Sequence, residues 1–162
     1  DVSDHVSKIL AQWVNHRPDL DCSPMGVIGR IERMSKFLAP AIESLIHSFD
    51  LSRIEFDILA TLRRSSGPLT PTQLYQDTML SSGAMSTRLE HLVNKGWIKR
   101  EPSPSDRRSC TVELTQTGRE NIDAIVTQHV NNERDLLQSL SLEEQEQLAS
   151  LLAKWLSHHE SK

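Results

Sequence analysis

The chain has 162 residues, the length of one domain. It is 37% hydrophobic and 25% charged, so it can build a core and stay dissolved. Its longest apolar runs fall far short of the ~20 residues a bilayer-spanning helix needs, which excludes an integral helical membrane protein. Two distant cysteines, Cys22 and Cys110, exclude a disulfide scaffold and a zinc framework. With no signal-peptide pattern in the first residues, they suit a reducing, cytoplasmic setting. The net charge of −4 is unevenly spread: residues 81–119 carry seven basic and four acidic side chains, whereas residues 120–162 carry three and eight. A polyanion would therefore be met locally, by one basic stretch of an acidic protein.

Val6, Ile9, Leu10, Trp13 and Val14 recur at helical spacing and predict a first helix over residues 2–17, stopped by Pro18. Ser23 reads as an N-cap with Pro24 in the first helical position. A long stripe from Ile28 to Phe49 follows, with a kink or break expected at Pro40. Three capping boxes then fix later helix starts: Ser52 with Glu55, Thr70 with Gln73, and Ser141 with Glu144. Leu51 with Phe56, and Leu69 with Leu74, form hydrophobic staples beside the first two.

A short helix from Pro71 to about Thr78 is followed by a tight break and a new helix opening at Ser81 or Ser82. Met85, Leu89, Leu92 and Val93 form its buried side; Ser82, Gly83, Ser86, Thr87, Glu90, His91 and Asn94 form the other, and Gly96 ends it. The hydrophobic period then changes from 3.6 to 2. Residues 97–101 and 110–114 read as strands of a hairpin whose long tip carries Arg107 and Arg108. Two further striped helices close the chain.

Helix, tight turn, helix and hairpin make a winged helix-turn-helix. In that arrangement the second helix enters the DNA major groove while the first braces it across the backbone. Small hydroxyl side chains at Ser82, Ser86 and Thr87 can approach base edges. Ser81 and Ser82 suit phosphate at the helix N-terminus. Arg88 is the cation of this helix able to turn toward DNA, and His91 shares the polar side. Arg107 and Arg108 are placed for a minor groove, with Asp106 expected to support the wing from within. Lys95, Lys99 and Arg100 are expected to track phosphates. The outer helices exceed what a winged helix needs, so their apolar faces call for a twofold dimer. No nucleophile–base pair, phosphate-cradling loop or carboxylate dyad appears, so neither an enzyme nor a cofactor is expected. The histidines, including His158 and His159, lack metal-ligand spacing.

The run Leu80-Ser81-Ser82-Gly83-Ala84-Met85-Ser86-Thr87-Arg88-Leu89, then Leu92 to Ile98, Asp106-Arg107-Arg108-Ser109, Leu114-Thr115 and Gly118, resembles the MarR family of transcription regulators over about residues 25–158. The resemblance implies a homodimer, held by its N- and C-terminal helices, that binds palindromic DNA and usually represses. It also implies a small-molecule effector that changes DNA affinity. The added helix before residue 17 is similar to that of the PecS-type, urate-responsive subgroup. Trp13, Asp57, Arg88 and Arg100 stand where that subgroup's ligand residues would fall. An indole can stack on the flat urate anion and arginines can neutralise it, while Asp57 would repel the anion or exchange it for Arg88 as a partner.

The expected architecture is mainly α with a small β-hairpin wing. Residues 1–50 form N-terminal helices for dimerisation and a ligand-pocket wall, 51–115 a winged helix-turn-helix lobe, and 116–162 C-terminal dimerisation helices. The expected function is a cytoplasmic, homodimeric repressor on inverted-repeat DNA, released by a small aromatic anion such as urate. Two alternatives stay open: a thiol-based oxidant sensor of the same fold, using Cys22, and a winged-helix module that binds protein.

Overall fold

A computed structural model describes residues 2–78, 82–103, 105–106 and 108–161. Seven helices and one hairpin follow in the order α1 (His5–His16), α2 (Ser23–His47), α3 (Arg53–Arg64), α4 (Pro71–Thr78), α5 (Ser82–Asn94), β1 (Ile98–Pro102), β2 (Cys110–Leu114), α6 (Gln116–Leu136) and α7 (Leu142–Glu160). The expected mainly helical winged fold is the one observed. The chain divides into two compact units, residues 1–43 and 44–162.

In the first unit, α1 starts later than the sequence stripe suggested, because Asp4 caps it. The Asp4 carboxylate accepts the Ser7 backbone N–H at 2.8 Å, and Ser7 Oγ returns the bond to the Asp4 backbone. Arg30 on α2 donates to the same carboxylate at 2.9 and 3.2 Å. Val6 and Leu10 meet α2 at Gly29 and Gly26, where there is no side chain to hold the helices apart. Ser23 is the first helical residue of α2 and not its cap. Asp21 takes that role, accepting from the Ser23 backbone N–H at 3.0 Å and from its hydroxyl at 3.1 Å. Pro40 does not break α2, which runs through it as one helix.

In the second unit, α3 is the central element. It packs on α4, α5, α6 and β2, and its buried side is Phe56, Ile58, Leu59 and Leu62. All three capping boxes read from the sequence form: Ser52–Glu55, Thr70–Gln73 and Ser141–Glu144. Leu51, Phe56 and Leu74, all from the two staples, are buried. β1 and β2 are antiparallel, with Ile98 opposite Leu114 and Arg100 opposite Val112. β1 opens at Ile98, one residue later than expected, because the Trp97 N–H still bonds back to Leu92 at the end of α5. A further pair of backbone bonds joins Leu69 to Val112, at 3.0 and 2.7 Å, and ties the α3–α4 connector to the wing.

The last helix behaves differently. No residue of α7 is buried, and it exposes Leu142, Leu148, Leu151, Leu152, Trp155 and Leu156. Gln145 fixes its start by donating to the carbonyls of Leu137 and Leu140. In the first unit, α2 likewise exposes Met25, Val27, Ile28, Ile31, Met34 and Phe37. Among the described residues no helix is long and apolar enough to cross a membrane.

Candidate nucleic-acid interface

Helix α5 is two-faced as its sequence requires. Met85, Leu89 and Leu92 are buried, while Gly83, Ser86, Thr87, Glu90, His91 and Asn94 are exposed. Gly96 stops the helix with φ of +77°, a left-handed conformation that glycine takes without a Cβ penalty. The Gly96 and Trp97 N–H groups then bond to the Val93 and Leu92 carbonyls at 2.9 and 3.2 Å. The helix therefore ends where the wing must begin.

The wing tip is shaped by Asp106. Its carboxylate accepts the Arg108 backbone N–H at 2.9 Å and its carbonyl accepts the Ser109 N–H at 3.2 Å. The carboxylate is thus turned inward, on a hairpin N–H, and the Arg108 side chain is exposed. Ser81 and Arg107, both candidate phosphate or groove contacts, lie outside the described residues, as does the side chain of Ser82.

Arg88 and His91 do not simply face solvent. Both turn toward Glu55 on α3: His91 Nδ1 is in hydrogen-bond contact with Glu55 Oε2, and Arg88 Nη1 stands 3.9 Å from Oε1. Glu55 is only 3% exposed. Burial pushes its carboxyl up, but the His91 hydrogen bond and the Ser52 bonds outweigh that and hold it below its ordinary value. Asp57, expected to repel the anion or exchange it for Arg88, has another partner here. Asp57 pairs with Arg53 at 3.4 Å on its own helix. Residues 55 and 57 are about 200° apart around α3, so the two carboxylates cannot share one direction.

Two supposed phosphate cations are also otherwise engaged. Lys95 Nζ donates to the Asp50 carbonyl at 2.7 Å, in the connector between α2 and α3, where Asp50 itself has a positive φ of 59°. Lys99 lies between Glu113 at 3.0 Å and Glu101 at 3.4 Å. Arg100 is exposed on the neighbouring strand position. Of the ligand candidates, Asp57, Arg88 and Arg100 belong to the second unit. Trp13 belongs to the first, beside Ile9, Gln12 and His16 on a shallow hollow of α1. Cys22, the candidate thiol, is buried. Among the described residues no group of three metal-ligating side chains comes together.

Glu55 is the site residue the sequence reading passed over. Its signal was available: residues 55, 58, 59 and 62 fall on one helical stripe, and the last three are apolar, so the capping glutamate sits on the buried face.

The architecture is a winged helix-turn-helix carried between long flanking helices. Residues 49–109 match the family model described as MarR family. The chain is 42% identical over 155 residues to the HTH-type transcriptional regulator PecS of Dickeya dadantii, covering 94% of this chain and 93% of that protein. Among solved structures it is similar to AbsC, a MarR family transcriptional regulator from Streptomyces coelicolor, with a TM-score of 0.75, 23% identity, and coverage of 88% and 98%. It is also similar to a mutant MarR from E. coli complexed with operator DNA, with a TM-score of 0.65, 26% identity, and coverage of 95% and 99%. The chain belongs to the MarR family of transcription regulators, within its PecS-like subgroup; its relatives are regulators and not enzymes.

Proposed function

We propose that the chain is a homodimeric repressor that reads an inverted-repeat operator in the cytoplasm and releases it on binding a small aromatic anion, urate first among the candidates. The observation that carries the DNA reading is helix α5. It buries Met85, Leu89 and Leu92 and turns Ser86, Thr87, Glu90 and Asn94 outward beside a hairpin whose tip presents Arg108. The similarity to a MarR bound to operator DNA supports the same use of the fold. Ser82, Ser86 and Thr87 are the base-edge candidates, while Ser81 and Ser82 at the helix start suit phosphate and Arg107 and Arg108 the minor groove. His91 and Arg88 stand beside them with Glu55 behind. The apolar residues left exposed on α2 and α7 support a second copy as their cover.

For the effector, Trp13 supplies a ring face, Arg88 and Arg100 supply positive charge, and Asp57 opposes an anion. The test is a gel shift on duplexes selected from a random pool, run across salt and with urate. Binding that weakens in urate supports the full reading. Binding unaffected by millimolar urate but abolished by peroxide moves the switch to a thiol. No binding to any duplex at low salt removes the DNA reading. Trp13→Ala and Asp57→Ala are expected to blunt the urate response while leaving effector-free binding near wild type. A normal response in both would dismantle the proposed ligand set.

A further inference from the structure

Glu55 is the only buried charged side chain among the described residues. It carries two duties at once. Its Oε1 accepts the Ser52 backbone N–H at 3.0 Å, which completes the cap of α3. Its other oxygen, Oε2, reaches across to α5, where it holds His91 Nδ1, while Arg88 Nη1 stands 3.9 Å from Oε1. A carboxylate of this kind only accepts, so His91 Nδ1 carries the proton and the ring's orientation is set from behind. His91 and Arg88 are three residues apart and share one stripe of α5.

We infer that Glu55 is a positioning residue for the DNA-reading helix: through His91 and Arg88 it fixes the rotation of α5 about its own axis, and so the angle at which Ser86 and Thr87 meet base edges. The inference rests on the DNA reading above. The residues α5 buries, Met85, Leu89 and Leu92, are apolar, and their packing is non-directional. Such a surface resists separation but specifies rotation weakly. The His91 hydrogen bond to the buried carboxylate is directional, with Arg88 as an ion pair beside it, and a rotation of one residue step, about 100°, would withdraw both side chains from Glu55. Withdrawal would leave the buried carboxylate with the Ser52 cap bond but without a cationic or imidazole partner, so this setting is preferred.

Glu55→Gln separates the two duties. Glutamine serves equally at this place in a capping box, but it removes the charge facing His91 and Arg88. The probes are a duplex selected by the wild-type protein from a random pool and a scrambled duplex of the same length. The expected result is a melting temperature and salt dependence close to wild type, with the preference for selected over scrambled duplex reduced roughly tenfold, the usual worth of a charge-assisted hydrogen bond. His91→Gln should do the same, and the double variant should lose no more than either alone. An unchanged preference in Glu55→Gln overturns the inference. So do single losses that multiply in the double variant, which would mean that His91 acts on DNA independently. A large drop in melting temperature with equal loss on both duplexes also overturns it, because Glu55 would then be structural only. If the wild-type protein selects no duplex at all, the DNA reading itself fails and the inference with it.

Discussion

Replacing Gly118 by alanine tests how the wing is joined to the body. Gly118 lies in the first turn of α6, and its N–H donates to Thr115 Oγ1 at 3.0 Å. That hydroxyl donates in turn to the Gly96 carbonyl at 2.6 Å, and the Thr115 N–H donates to the Trp97 carbonyl at 3.0 Å. The start of α6 is thus lashed to the turn that ends α5 and opens β1. The approach is so close that a Cβ at position 118 would stand 1.9 Å from the Trp97 carbonyl oxygen and 2.7 Å from its carbon. Two effects of opposite sign compete. Alanine in place of a helical glycine gains up to about 1 kcal/mol. Overpacking costs roughly 1–3 kcal/mol where side chains can shift, and more where the neighbour is backbone. Opening the contact by over about an ångström, as hard-sphere radii demand, would also stretch the Thr115 bonds, each worth about 1 kcal/mol. The net loss is therefore about 3 kcal/mol, or roughly 6–12 °C in melting temperature for a chain of this size.

Thermal and urea unfolding at one fixed protein concentration measure this, since the melting point of the proposed dimer would move with concentration. Gly83→Ala is the companion variant. Gly83 also lies near a helix start, but a Cβ there meets nothing within 4 Å, so the variant should be neutral or gain up to about 1 kcal/mol. A Gly118→Ala protein as stable as wild type, or equal damage from both variants, refutes the reasoning.

Two further outcomes follow from the same residues. Leu151 and Leu156 on α7 are 66% and 55% exposed in the single chain. Each buried leucine contributes about 1.5–3 kcal/mol, counted twice across a twofold interface, so Leu151→Lys with Leu156→Lys should sediment as a folded monomer at micromolar concentration; a persistent dimer would remove α7 from the interface. Asp4 is held well below the usual carboxylate range, first by Arg30 and then by the Ser7 backbone N–H. A depressed folded pKa contributes stability above the unfolded value of about 3.9 that is lost as pH falls through the folded one. Amide protection over residues 5–16, taken relative to the intrinsic exchange rate at each pH, should therefore fall only below about pH 4 in the wild type, and be already reduced at neutral pH in Asp4→Asn; indistinguishable profiles would mean that the carboxylate does not hold the helix start.

Local signals carried most of the fold. Capping boxes at Ser52, Thr70 and Ser141 depend on residues three apart, and all three form because the bonds they encode close within one turn. The change of period at residue 97 and the glycine at 96 placed the wing within a residue. What stayed hidden was pairing across the chain. Lys95 reads as a free cation until Asp50, 45 residues earlier, is brought beneath it. Asp57 looks like the acid for Arg88 until the helical angle puts Glu55 in its place, 33 residues from Arg88 in sequence. The Asp4–Ser7 box escaped because it uses aspartate and serine in place of the usual serine and glutamate. Leu69 looked spent on a staple, yet its backbone also joins Val112.

These pairings change what the local charge can do. The basic stretch at residues 81–119 holds seven cations. Lys95 and Lys99 are tied to Asp50, Glu101 and Glu113, and Arg88 is turned toward Glu55. Arg100 and Arg108 are exposed, with no acidic partner recorded among the described residues. Each phosphate neutralised adds about 0.9 to the salt slope of DNA binding, so few free cations mean a shallow slope and a small share of affinity from charge alone. The net charge of −4 means that the proposed wing and reading helix would meet DNA against the average charge of the chain. The chain must then draw affinity from hydroxyl and amide contacts, whose geometry tolerates little rotation. On the inference above, the setting of α5 against Glu55 should therefore matter more here than in a strongly basic winged helix.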